Sequence, residues 1–148
     1  MRTLIHDVRK LACAAMVLLG GELSSQEWRN DLVEATVAAN SADKKVLLYF
    51  SVPEACDSCM RLEKNVFEST AFQSYALEHY ILTKADFSGN INSALKAKNL
   101  LIVEKYNKDG FFPLVVIIDK NSKVLAKVGV YNDQDSVSYI KMLQAAER

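Results

Sequence analysis

Hydrophobic positions along this chain change period several times, and each change predicts an element. Leu11 to Leu19 form an unbroken apolar run preceded by Arg2, His6, Arg9 and Lys10 and followed by Gly20-Gly21. Ser24-x-x-Glu27 has the spacing of a capping box, and Trp28, Leu32, Ala35 and Ala39 follow at helical intervals, predicting a helix over 26–40. Val46 to Phe50 is continuously apolar, with the length of a buried strand. Beyond Cys56 and Cys59, Leu62 and Val66 continue one face while Asp57, Arg61 and Lys64 are polar, so a helix lies with one side on the sheet. Thr70-x-x-Gln73 is expected to cap a segment carrying Phe72, Tyr75, Ala76 and Leu77, and Tyr80–Phe87 reads as a strand. After the turn Ser88-Gly89-Asn90, Leu95, Lys98/Asn99, Ile102 and Tyr106 fall on successive turns of a helix over 92–106. Gly110-Phe111-Phe112-Pro113 breaks it. Leu114–Asp119 is a second buried strand, joined through Lys120–Lys123 to Val124–Val130 as a hairpin. Asp133 is expected to cap a last helix with Val137, Ile140 and Leu143 facing inward.

The order is helix, strand, helix, strand, helix, strand, strand, helix. Strands joined by helices make parallel neighbours and the closing hairpin adds an antiparallel edge, so the class is α/β, a mixed central sheet with helices on both faces.

Composition narrows what such a domain does. The chain has 148 residues, half of them apolar, enough for one compact core. Eighteen basic residues balance eighteen acidic ones, and with no basic stripe a nucleic-acid partner is not expected. The charged start, short apolar run and following small residues fit a secretory signal peptide, the run being far shorter than the roughly 20 residues of a membrane span. Residues 1–25 are therefore read as the leader of an exported protein and 26–148 as its domain. Cys13 lies inside the leader, which leaves Cys56 and Cys59 as the thiols of a mildly acidic mature chain, in a compartment where disulfides persist.

Cys56-Asp57-Ser58-Cys59 follows a strand and opens a helix, where unpaired N–H groups and the helix dipole stabilise a thiolate. Two other uses compete. A zinc site needs about four ligands, and only Cys56, Cys59 and His79 are available, so no metal or other cofactor is expected. A structural disulfide closing a two-residue loop constrains the unfolded chain little. His79, after a helix, reads as a surface residue. Trp28, Phe67 and Phe72 read as core, whereas Phe111 and Phe112, adjacent in a loop, do not both bury easily, so one is expected to face a substrate.

With Phe112-Pro113 before the final hairpin, the element order and Cys-x-x-Cys resemble the thioredoxin fold over roughly residues 26–146. The tract containing Trp28, Lys45-Val46, Phe50, Cys56 to Cys59, Glu63, Phe67 and Phe72 resembles secreted bacterial proteins related to the C-terminal domain of the membrane thiol-disulfide interchange reductase. Small periplasmic reductases of chlamydiae are similar too. The resemblance implies that Cys56 is the exposed attacking thiol and Cys59 the buried resolving one. It implies that Pro113 is a cis-proline offering backbone to an extended substrate, with Phe112 helping to select partners. Ala55 stands where the family usually has tryptophan. Tyr49 stands roughly where thioredoxin keeps a buried acid, and Glu63 is the candidate to replace that acid in proton transfer.

The residues between the thiols tune the site. Asp57 opposes a thiolate and so favours a reducing potential, Ser58 completes the pair, and Arg61, one turn on, offsets part of the Asp57 charge. The expectation is a periplasmic, monomeric disulfide reductase acting on disulfide-containing envelope proteins and recharged by a membrane electron donor of the interchange-reductase type. A disulfide isomerase and a thioredoxin-fold protein-binding module are the alternatives.

Overall fold

A computed structural model describes residues 26–148; the expected leader and Ser24 lie outside the described residues. β1 (Lys45–Ser51) forms the middle of a four-stranded sheet of order β2-β1-β3-β4. β2 (Tyr80–Asp86) runs parallel to it, with Lys45 opposite Tyr80 and Ser51 opposite Asp86. β3 (Leu114–Ile118) lies antiparallel on its other side, with Tyr49 opposite Val115, and pairs in turn with β4 (Val124–Val128). The sheet is mixed, as the pattern predicts.

Every position of β1 from Val46 to Ser51 is buried because helices cover both faces. Val46, Leu48, Phe50, Val116 and Ile118 pack under α1 (Leu32–Ala42) and α4 (Ser93–Tyr106), where fully buried Ala35 and Ala39 let α1 approach closely. Leu47, Tyr49, Leu82, Val115 and Ile117 face α2 (Asp57–Leu62), α3 (Thr70–His79) and α5 (Ser136–Ala146). The alternation along each strand sorts side chains between the two cores.

Four boundaries differ from expectation. The first helix spans 32–42, not 26–40, because Asp31 is its cap, accepting from the N–H groups of Val33 (2.8 Å) and Glu34 (3.2 Å). Residues 26–30 are not helical; Arg29 instead bridges to β2 through main-chain bonds from its N–H to Leu82 O and from Lys84 N–H to its carbonyl, both 2.9 Å. The cap of α3 is Ser69, not Thr70, through a 3.2 Å bond from Phe72 N–H. The cap of α5 is Asp135, not Asp133, and the shift of register turns Val137 outward and puts Tyr139 with Leu143 in the core. β4 ends at Val128, two residues short of the expected strand.

Candidate active site

Three segments converge at the carboxyl end of β1. The strand runs through Ser51 into a single turn at Pro53–Ala55, and Cys56 then caps α2 (φ −144°, ψ 89°). Its Sγ accepts from Cys59 N–H at 3.1 Å, so the sulfur lies over the helix start as the spacing predicts. Cys56 and Cys59 are joined as a disulfide, with Cα atoms 5.2 Å apart. Cys59 is fully buried while Cys56 is part-exposed, which is the asymmetry the resemblance implies. Ser58 Oγ lies 3.5 Å from Cys56 Sγ.

The loop from Asn107 to Pro113 forms the facing wall. Buried Asn107 clamps Phe111, donating from Nδ2 to its carbonyl (2.8 Å) and accepting from its N–H (3.0 Å), and Gly110 takes the left-handed φ of 67° that the tight turn needs. The Phe112–Pro113 bond is cis. The two phenylalanines differ in burial. Phe112 packs on the α1/α4 core, edge-on to Phe87 at 6.3 Å, whereas Phe111 is 61% exposed. An open cleft of about 590 Å³ separates Cys56, Asp57 and Arg61 from Gly110 and Phe112. Beside it a more apolar cleft of about 360 Å³ is walled by Ser58, Phe111, Pro113, Val130 and Tyr131. Val130 and Tyr131 bear no sign of this role in the sequence.

Behind the dithiol lies a polar cluster. Glu63 begins a π-helical turn (Glu63–Phe67) that continues α2 and turns its carboxylate toward the sheet. Its Oε1 accepts from Lys84 Nζ (3.0 Å), Ser51 Oγ (3.1 Å) and Tyr49 Oη (3.2 Å). Tyr49 Oη also lies 3.3 Å from the Cys59 carbonyl. Burial first, and the Glu63 charge after it, push the Tyr49 phenol above its usual range. Local pattern does not single out Ser51; Lys84 shares the apolar period of Tyr80 and Leu82, and a lysine there is the signal in the sequence.

Arg61 answers to a second acid besides Asp57. Its Nε donates to Asp133 Oδ1 at 2.7 Å, and Asp133, with Asp57 a smaller influence, holds the guanidinium charged. A residue 72 positions away takes the arginine that helical spacing offers to Asp57. His79 is half-exposed at the end of α3, stacked on Tyr75 at 4.2 Å and remote from the sulfurs in the sequence of elements. Trp28 and Phe67 meet Tyr49 beneath the site at centroid distances of 5.7 and 5.0 Å.

The family profile of the thioredoxin-like domain matches residues 32–144, which include both cysteines and the cis-proline. The chain belongs to this family. Among thioredoxin-like proteins it is similar to the disulfide bond reductase DsbH of Chlamydia pneumoniae, 24% identical over 145 residues that cover 90% of this chain and 86% of that protein. A solved DsbH oxidoreductase superposes with a TM-score of 0.75 at 21% identity, over 99% of this chain and 94% of that one. The oxidised C-terminal domain of DsbD from Neisseria meningitidis superposes with a TM-score of 0.57 at 15% identity, covering 81% and 99%. At these identities the superpositions establish the thioredoxin-like fold.

Proposed function

We propose that this protein is an exported thiol-disulfide oxidoreductase working as a disulfide reductase. The observation that carries the reading is the Cys56–Cys59 disulfide at the start of α2, open on one side to a cleft walled by the cis-Pro113 loop. In the reduced protein the Cys56 thiolate attacks a substrate disulfide, one substrate sulfur leaves with the electron pair, and a mixed disulfide forms. Cys59 then loses its proton and attacks Cys56 Sγ. The Cys56–substrate bond breaks, the second substrate sulfur leaves reduced, and the protein disulfide re-forms.

Each residue has a role in this scheme. Cys56 is the nucleophile and Cys59 the resolving thiol, Asp57 and Ser58 set the redox poise, and Phe112 with Pro113 binds the substrate chain. Glu63 receives the resolving proton, supported by its place one helical turn after Cys59 and by the Tyr49 hydroxyl that reaches both its Oε1 and the Cys59 carbonyl. The substrates are disulfide-containing envelope proteins, and a membrane electron donor of the interchange-reductase type returns the electrons. Periplasmic placement and a monomeric state belong to the proposal, with residues 1–25 as leader and 26–148 as the domain. No helix among the described residues is long and apolar enough to cross a membrane.

Replacing Cys59 with Ala in the whole protein and isolating mixed disulfides from envelope extracts tests the reading. Covalent partners held through Cys56, released by reductant and absent when Cys56 is Ser, are the expected result. If no partner is trapped and loss of both thiols leaves function intact, the cleft serves binding alone. Equilibration with glutathione tests the direction: a potential near that of strong oxidants, about −120 mV, removes the reductase assignment.

A further inference from the structure

The Tyr49 hydroxyl sits at a junction for which the reaction above has no use. It has one proton and two acceptors within reach, Glu63 Oε1 at 3.2 Å and the Cys59 carbonyl at 3.3 Å. The Cys59 carbonyl already accepts from Glu63 N–H at the end of α2, so the side chain and backbone of Glu63 meet the same tyrosine–carbonyl pair. The ring is fully buried and fixed by Trp28 and Phe67, and burial keeps its phenol protonated, so the hydroxyl remains a donor wherever the acid titrates.

From this we infer that Tyr49 is a positioning residue that reports the charge of Glu63 to the backbone of the resolving cysteine. While Glu63 is a carboxylate, the charge-assisted bond is the stronger, and the Tyr49 proton points to it. When the acid takes up the resolving proton, that preference disappears and the hydroxyl turns to the Cys59 carbonyl. The arrival of the proton is thereby felt at the turn carrying the Cys59 sulfur. Other groups bear on the acid: Lys84 from β2 and Ser51 from β1 bond it directly, while Glu27 and Glu68 line the same polar cavity, of about 420 Å³. Of the three donors to Glu63, Tyr49 alone also reaches Cys59.

This inference rests on the proposal that Glu63 receives the proton from Cys59, and the test separates the two. Protein produced from the complete chain, labelled with ¹³C at the cysteine carbonyl and the glutamate side-chain carboxyl, is titrated by NMR. The Cys59 carbonyl signal should move with the Glu63 carboxyl signal in the unaltered protein and lose that movement in Tyr49→Phe, while Ser51→Ala retains it. A Cys59 signal that stays flat in the unaltered protein as Glu63 titrates overturns the inference without any variant.

Stopped-flow oxidation of the reduced protein by a symmetric nitrobenzoate aryl disulfide gives the kinetic readout. Attack by Cys56 releases the first aryl thiolate. Attack by Cys59 on Cys56 Sγ forms the protein disulfide, releases the second, and gives one proton to Glu63; the aryl disulfide takes up the two electrons. Tyr49→Phe should slow the second phase about tenfold, the loss of one hydrogen bond, and displace its pH midpoint with the first phase unchanged. A second phase at the original rate and midpoint overturns the inference. If Glu63→Gln also leaves the second phase and its pH profile untouched, the proton-acceptor role falls as well.

Discussion

Phe67 supports the whole redox helix, and its removal gives a sharp test of how α2 is held. The residue closes the π-helical turn, is 2% exposed, and meets Trp28 at 5.1 Å, Tyr49 at 5.0 Å, Phe72 at 4.8 Å and Tyr139 at 6.1 Å. Truncating a buried phenylalanine to alanine costs about 3–5 kcal/mol, from lost transfer energy and an unfilled cavity. With aromatic neighbours from four segments, each pair contributing about 0.5–1.5 kcal/mol beyond area, Phe67→Ala belongs in the upper half of that range. About 4 kcal/mol is a large part of the 5–15 kcal/mol typical of a domain. Phe67→Leu keeps most of the volume and should cost less than about 2 kcal/mol. Urea unfolding of the oxidised protein, followed by tryptophan fluorescence because Trp28 touches the site of change, measures both variants. A loss below about 2 kcal/mol for alanine, or equal losses for the two variants, would refute the claim that this ring seats the helix.

Electrostatic changes at the surface should be small but ordered in sign. Asp57→Asn removes a charge opposing the thiolate, so glutathione equilibration should show a reduction potential higher by on the order of 10 mV. Asp133→Asn frees Arg61 and should move the potential the same way; a fall in either variant contradicts the assignment. At high pH the buried tyrosines matter. Tyr80, by burial and then its bond to Glu147, and Tyr139, by burial, have folded ionisations raised above the unfolded value of about 10. Their contribution is complete below about pH 10 and lost as pH rises beyond it. Urea midpoints should hold at about pH 8 and fall toward pH 11, less steeply in Tyr80→Phe. Asp31→Ala should cost about 1 kcal/mol of stability through loss of the α1 cap, read by the same unfolding assay.

The parts of the fold written in local pattern were readable before the structure. β1 and β3 are unbroken apolar runs because both faces are covered, and the dithiol is marked by a four-residue window after such a run. The cis-proline wall is marked in the sequence by one dipeptide, Phe112-Pro113. What escaped depends on residues distant in the chain. The Ser24/Glu27 spacing favours a helix, yet Arg29 finds its main-chain partners in β2, more than fifty residues away. Arg61 has Asp57 within one turn, but Asp133 reaches it from the loop before α5. Glu63 stands out as an acid on the redox helix, while its donors come from two strands whose register no local pattern specifies. Lys84 was visible as a charge on an apolar face and needed the parallel pairing of Tyr49 with Lys84 to acquire meaning.

The bridge that Arg29 makes to β2 has a consequence for how copies of this protein meet. An outer strand normally presents free amides and carbonyls along which another chain can add. On the β2 side, Arg29 lies alongside Thr83 and takes the Leu82 carbonyl and the Lys84 amide. The opposite margin, β4, is five residues long, follows Lys123 and carries exposed Lys127, and its pairing with β3 is interrupted between Ile117 and Ile118. One border is bridged by the residues just before α1 and the other is brief, cationic and out of step. A molecule whose proposed task brings it against unfolded, disulfide-bearing chains therefore offers them its sulfur cleft, and little main chain to polymerise on.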